Sequence, residues 1–354
     1  METPLSVPDP ASQPGHASPE PRRHAGAPLY GALDLGTNNC RLLLAVPARA
    51  GFRVVGSFSR MIRLGEGLRA TGHLSEAAQE RALDALAACA AKLARQPPGR
   101  FRAVATEACR KATNGAAFIA RASRETGLAI DIISPREEAE LAMESCLVLL
   151  DAQAAEGVRR AVLFDIGGGS TELALVRVAP GERPEPAGYA SLPAGVITLA
   201  EAFGDAARTR EGFARMVEHV SDLLAPFEAV HRLADQVFRG GVHLVGTSGT
   251  VTTLAGVALD LPCYRRAWVD GVTLDAQSTD AALAHILALD EGGIAAHPCI
   301  GPDRAEFVLP GCAVYAAIRR LWPAPKVTVA DRGLREGILL RLIAKDRAGP
   351  ARWR

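Results

Sequence analysis

The stretch AVLFDIGGGSTELALVRV (161–178) sets three consecutive glycines between an apolar run and a polar trio, then turns apolar again. Glycine this dense weakens any strand or helix it enters, so the stretch reads as strand, turn, strand. The segment LYGALDLGTNNCRLLLAV (29–46) repeats the plan: apolar strand, Asp34, a Gly-Thr-Asn-Asn turn, second apolar strand. A third stretch, VHLVGTSGTVTTLAGVAL (242–259), runs a strand through a Gly/Thr/Ser turn into a helix. A chain that carries a weak internal repeat of this kind is expected to fold as two related halves.

The remaining pattern alternates helices with strands. LSEAAQERALDALAACAAKLAR (74–95) has apolar residues at helical spacing and Ser75 as candidate N-cap, and a second helix ends at Gly127. In SPREEAELAMESCLVLLDA (134–152), Ser134 is the expected N-cap and Pro135 the first helical residue. Glu137 then stands at the third position and completes a capping box, which leaves Glu138 free of that duty. KVTVADRGLREGILLRLIA (326–344) reads as strand, turn and closing helix. Strand–helix alternation throughout predicts an α/β protein.

Composition narrows the function classes. With 354 residues, 48% of them hydrophobic, the chain is long enough for two packed cores. The formal net charge is +1, yet residues 41–124 hold 15 Lys/Arg against 5 Asp/Glu. Such a region can attract a polyanion, or can be a solvated arginine-rich surface. The 7 cysteines form no CxxC pair and no cluster with zinc spacing, so they read as small core residues of a reduced, cytoplasmic protein. Residues 1–28, rich in Pro, Ser and Ala, have no apolar stretch suited to a signal peptide and read as a disordered tail. No apolar run has membrane-spanning length, and neither a membrane nor a nucleic-acid partner is expected.

Each Gly/Thr/Ser turn exposes backbone N–H groups and lets a ligand approach closely, which makes a nest for phosphate oxygens. Asp34 and Asp165 sit at corresponding strand ends, and a hard cation takes oxygen ligands from few carboxylates plus water and phosphate. A single such turn is equally compatible with plain hairpin chemistry; two of them, with a third turn, point to a metal–phosphate site. No Gly-Lys-Ser/Thr triplet follows, so this is not a Walker loop.

The motifs DLGTNNCRLLL, ATEACRKATN, IISPREEAEL, DIGGGSTEL, VGTSGT and DRGLREG occur in this order between Gly31 and about Ala344. They resemble the exopolyphosphatase/guanosine pentaphosphate phosphohydrolase family of the sugar kinase/heat-shock chaperone/actin superfamily. The resemblance implies two actin-like (ribonuclease H-like) domains, 29–136 plus 332–354 and 137–331, with the active site in the cleft between them. It implies hydrolysis of the terminal phosphoanhydride of polyphosphate, guanosine pentaphosphate or both, with Mg²⁺ or Mn²⁺, and a homodimer. Three departures stand out: Thr37-Asn38-Asn39 where relatives usually carry Ser-Asn-Ser, Pro135 where they usually carry Gly, and no C-terminal domain resembling HD phosphohydrolases.

By the same resemblance Glu138 is the catalytic base, with Glu172 orienting water or metal ligands. Asp34 and Asp165 are the metal-linked acids. The phosphate-binding set is Gly36, Thr37, Asn38, Arg110, Gly167, Gly168, Gly169, Ser170, Thr171, Gly246, Ser248, Gly249 and Thr250. Asn114 is expected to steady the Arg110 loop, and Arg41 and Arg332 are weaker candidates. The bland readings are a helix-dipole acid for Glu138, a solvent-facing strand-edge acid for Glu172 and a surface arginine for Arg110. Two rival functions remain at this stage: an ATP-dependent kinase or ATPase on the same fold, and a sensor that binds alarmone or polyphosphate without turnover.

Overall fold

A computed structural model describes residues 27–49, 51–150, 157–182 and 184–348. The expected tail 1–28, but for its last two residues, and the final residues 349–354 lie outside the described residues. The first half is built of strands β1 (Tyr30–Leu35), β2 (Asn39–Ala48), β3 (Gly51–Met61), β4 (Arg100–Ala105) and β5 (Ile130–Ile132). Its helices are α1 (Leu68–Thr71), α2 (Glu76–Arg95), α3 (Glu107–Lys111) and α4 (Gly115–Thr126), followed by α5 (Pro135–Cys146). The second half has β6 (Arg160–Ile166), β7 (Thr171–Arg177), β8 (Glu185–Leu192), β9 (Val242–Thr247), β10 (Thr273–Asp275) and β11 (Lys326–Ala330). Around these lie α6 (Val196–Phe203), α7 (Arg210–His231), α8 (Leu233–Phe238), α9 (Gly249–Ala258), α10 (Arg266–Val269), α11 (Ala276–Ala288), α12 (Glu291–Ala296), α13 (Pro302–Leu321) and α14 (Leu334–Ala348).

The repeat seen in the sequence is a repeat of topology. One sheet runs β3-β2-β1-β4-β5, and the other, read from its far edge, runs β8-β7-β6-β9-β11-β10. In both, three antiparallel strands lead into parallel ones. Both faces of the central strands are covered, so successive residues serve opposite cores. Leu33 and Leu35 pack with Leu86 and Phe118, while Tyr30 and Ala32 pack with Ile338 and Leu339 of α14. In the second sheet Phe164 and Ile166 face Leu224 and Tyr315, while Leu163 faces Met143 and Cys146 of α5.

Helix α5 belongs to both halves. Leu141 packs in the core beneath the first sheet and Met143 and Cys146 in a core of the second. The boundary expected at 136/137 thus falls inside the first turn of this helix. Helix α14 crosses it at Gly337, against the Leu141 backbone, and Arg341 clamps the crossing by donating to Glu144 at 2.8 Å. Six cysteines are buried and Cys263 is exposed, all of them free thiols. Among the described residues no helix is long and apolar enough to cross a membrane.

Part of the basic excess of residues 41–124 is paired with acids by the fold. Arg100 pairs with Asp346, Arg102 with Asp131 and Glu137, Arg110 with Glu138, and Arg121 with Glu80 and Glu125. These four arginines therefore serve ion pairs within the fold.

One core group couples stability to pH. His243 on β9 is buried, its Nε2 is 2.7 Å from Thr328 Oγ1 on β11, and burial, reinforced by Lys326, holds its pKa down at about 4. The unfolded chain binds the proton more readily, so this contribution is complete above the ordinary histidine range and is lost as pH falls toward 4. It corresponds to roughly 3 kcal/mol. Urea unfolding should show that part of the acid-side loss disappearing in His243→Gln; an identical pH profile in the variant would rule out His243 as its source.

Candidate active site

The two hairpins present the same atoms in the same places. Gly36 N–H donates to Asn39 O and Gly167 N–H to Ser170 O, both at 2.9 Å. Asp34 stands directly across the ladder from Arg41, and Asp165 directly across from Glu172. Side chains opposite one another on antiparallel strands share a face, so the first half offers an acid and a base where the second offers two acids. The turns meet: a Cβ on Gly168 would lie 3.1 Å from Thr37 Cβ and 3.4 Å from Asn38 N. Among the described residues, the amide groups of Thr37, Asn38, Gly168 and Gly169 have no acceptor. Four free N–H groups from two facing turns are the makings of an anion nest.

Around this junction five carboxylates gather. Asp34 and Asp165 are pushed up by burial, with Arg41 pulling both down; more weakly, Glu336 raises Asp34 and Asp34 raises Asp165, which reaches about 6. Glu172 is buried rather than at a strand edge, because β7 lies between β6 and β8. It accepts from Ser170 Oγ at 2.6 Å and Ser191 Oγ at 3.0 Å, and burial together with Asp165 and Glu107 raises it to about 7.

Glu138 lies between Arg110 and the other carboxylates. Its carboxylate accepts from Nη1 and Nη2 of Arg110 at 3.1 and 3.2 Å, and Arg110 is itself held by Ile133 O at 2.7 Å. Burial, then Glu172, pushes its pKa well above the ordinary glutamate range, against the pull of Arg110. The first-turn position favours the ionised form, and enclosure among like charges works against it. Ser134 caps α5 by accepting from Glu137 N–H at 3.1 Å. The reciprocal half of the capping box is replaced by an ion pair, because the Glu137 carboxylate takes Arg102 at 2.8 Å.

The structure spends several expected phosphate ligands elsewhere. Thr171 Oγ1 donates to Ala194 O at 2.6 Å, and Ser170 Oγ donates to Glu172. Gly246 lies within β9, where a Cβ would lie 2.5 Å from the Phe164 ring, so it answers to sheet packing. Thr250 is pressed against Gly311 of α13. Ser248, at φ 95°, is a non-glycine in the left-handed region, and its buried Oγ has no partner where α9 begins; Gly249 follows beside Arg304. Asn114 binds both backbone groups of Leu74 at 2.9 Å, and Arg332 is tied to Asp270 by bonds of 3.0 Å.

Two residues at the site were not singled out in the sequence. Glu107 is buried, one oxygen on Lys111 and the other unpartnered against Gly169, whose lack of a side chain makes room for it. Its neighbourhood in ATEACRKATN was the available signal. Arg335, in DRGLREG, places its charge near Asp34 and Arg41; the same motif had drawn attention to Arg332 instead.

Among the described residues no three His, Cys, Asp or Glu side chains form a metal cage. The donor set still suits a hard cation, since Asp34, Asp165 and the orphaned Glu107 oxygen are all carboxylate oxygen donors. Such an ion keeps several waters and needs one or two protein carboxylates.

A family model described as the Ppx/GppA phosphatase family matches residues 45–346. A guanosine-5'-triphosphate,3'-diphosphate pyrophosphatase of Aeromonas salmonicida is 31% identical over 329 residues, which are 93% of this chain and 62% of that protein. The chain thus spans about three fifths of the length of the curated relatives it matches. The crystal structure of the Aquifex aeolicus member of the Ppx/GppA family superposes with a TM-score of 0.70 at 25% identity, covering 90% of this chain and 98% of that one. An exopolyphosphatase from Cytophaga hutchinsonii shares the fold, with a TM-score of 0.77, 22% identity and coverage of 90% and 98%. With its two matched hairpins facing across one acidic cleft and a family model spanning most of its length, this chain belongs to the Ppx/GppA phosphatase family.

Proposed function

We propose that this chain hydrolyses the terminal phosphoanhydride bond of guanosine pentaphosphate, inorganic polyphosphate or both, releasing orthophosphate. The observation that carries the reading is the pair of facing turns with free amides beside a half-buried glutamate held by an arginine. The names of the curated relatives it matches favour the pentaphosphate.

Hydrolysis of this bond needs charge neutralisation, in-line geometry and an oriented water. The free amides of Thr37, Asn38, Gly168 and Gly169 bind the oxygens of the terminal phosphate. Arg110 fixes the Glu138 carboxylate. The water oxygen bonds to the terminal phosphorus, its proton passes to Glu138, and the bond to the bridging oxygen breaks with the shortened chain as leaving group. Mg²⁺ or Mn²⁺ held by Asp34 and Asp165 would supply charge neutralisation on the phosphate oxygens.

The test is orthophosphate release from guanosine pentaphosphate, long-chain polyphosphate and ATP, with Mg²⁺ and after chelation. The expected outcome is cleavage of one or both of the first two, poor use of ATP, and loss on chelation that Mg²⁺ restores. Turnover favouring ATP would point to kinase-like chemistry; tight binding without release would point to a sensor.

A further inference from the structure

Residues 62–67 leave β3 as a strap that joins the first turn to the opposite half of the molecule. Its inner edge is bonded to the turn: the N–H groups of Ile62 and Arg63 donate to Asn38 O at 2.8 and 3.1 Å, and Gly65 N–H donates to Thr37 O at 2.9 Å. Its outer edge reaches across. The Arg63 guanidinium pairs with Glu306 of α13 at 3.2 Å and lies over the Phe307 ring at 5.5 Å. Gly67 N–H donates to Glu201 of α6 at 2.7 Å.

Arg63 is a non-glycine at φ 47°, a conformation that costs an L-residue free energy. Its N–H on Asn38 and its carbonyl, which accepts from Arg81 at 3.2 Å, hold it there. The backbone that carries the guanidinium is therefore fixed relative to the phosphate turn, while its partner carboxylate belongs to the other half.

Substrate requires those halves to part. The two turns are in contact: a Cβ on Gly168 would lie 3.1 Å from Thr37 Cβ. Arg63 and Glu306 remain 37% and 39% exposed, so an anion in solvent can reach the pair. A phosphate oxygen offers the guanidinium fork the same geometry as a carboxylate, with more charge.

Building on the phosphatase reading, we propose that Arg63 is a substrate-binding residue for phosphates beyond the terminal one. Glu306 holds its place in the substrate-free protein, and an incoming polyanion replaces that carboxylate, releasing the strap from α13 and opening the cleft.

The experiment is equilibrium binding of inorganic tripolyphosphate to the full chain in a Glu138→Gln background, compared with the same protein carrying Glu306→Gln, Arg63→Gln or both. Glu306→Gln should tighten binding about fivefold, the worth of an exposed pair. Arg63→Gln should weaken it about tenfold or more, for a lost charge-assisted bond. The double variant should match Arg63→Gln alone, because Glu306 acts through Arg63. Simple long-range charge effects would add instead, and additive shifts would overturn the proposal, as would shifts of the same sign in both single variants. If the parent binds but the variants match it, the strap proposal fails and the phosphatase reading stands. If the parent binds neither tripolyphosphate nor guanosine pentaphosphate, the phosphatase reading itself fails and the proposal with it.

Discussion

Replacing Glu138 by glutamine is expected to lower kcat for phosphate release by about two orders of magnitude or more, the usual worth of a positioned general base. The amide keeps the shape and can still accept from Arg110, so the geometry seen at 3.1 and 3.2 Å survives while the basic group is gone. Stability should move the other way. Burial and the neighbouring Glu172 raise the Glu138 pKa in the folded protein, so its ionisation opposes folding as pH rises from the ordinary glutamate range through the raised value. The variant should therefore melt higher than wild type at pH 8, with the difference vanishing near pH 4. The same cause places the acid limb of the wild-type kcat/KM profile above the ordinary carboxylate range. A Glu138→Gln enzyme with kcat within tenfold of wild type would remove Glu138 from the role of base.

Gly337→Ala is expected to damage the fold severely. A Cβ there would collide with the carbonyl of Leu141, with Leu141 Cα at 3.0 Å. These are backbone atoms of α5 and have no rotamer to retreat into, so the two helices must separate. Overpacking of this kind costs about 3 kcal/mol, and because α5 carries Glu138 and packs in cores of both halves, activity should fall along with stability. Gly333→Ala is the control: nothing lies within 4 Å of its Cβ position and its φ is not positive, so its effect should stay within about 0.5 kcal/mol. Urea midpoints read both. Equal effects at the two positions would show that the helix crossing is not as tight as the contact implies.

Features within a few residues of one another were legible before any coordinates. Ser75 and Ser134 accept from Ala78 and Glu137 as their spacing predicted. The α4 helix ends at Gly127 with φ 72°, and both Asp–Gly hairpins form where dense glycine excludes regular structure. What each polar group touches was less legible. Thr171 and Gly246 carry the right chemistry for a phosphate loop, yet one caps a carbonyl and the other accommodates a phenyl ring. Glu137 satisfies every local rule for a capping box and is taken by Arg102, 35 residues earlier in the chain.

The elements and the repeat follow from local sequence, because strand alternation, caps and glycine turns are decided by backbone sterics over a few residues. The family follows from the sequence too, because six motifs retain their order. The tertiary structure alone decided which charges meet. Arg110 with Glu138, Glu107 beneath Gly169, and Arg63 with Glu306 all join residues distant along the chain. Whether a carboxylate behaves as a solvated acid, a structural partner or a raised-pKa base depends on its burial and neighbours, and those are set when the two halves close on one another.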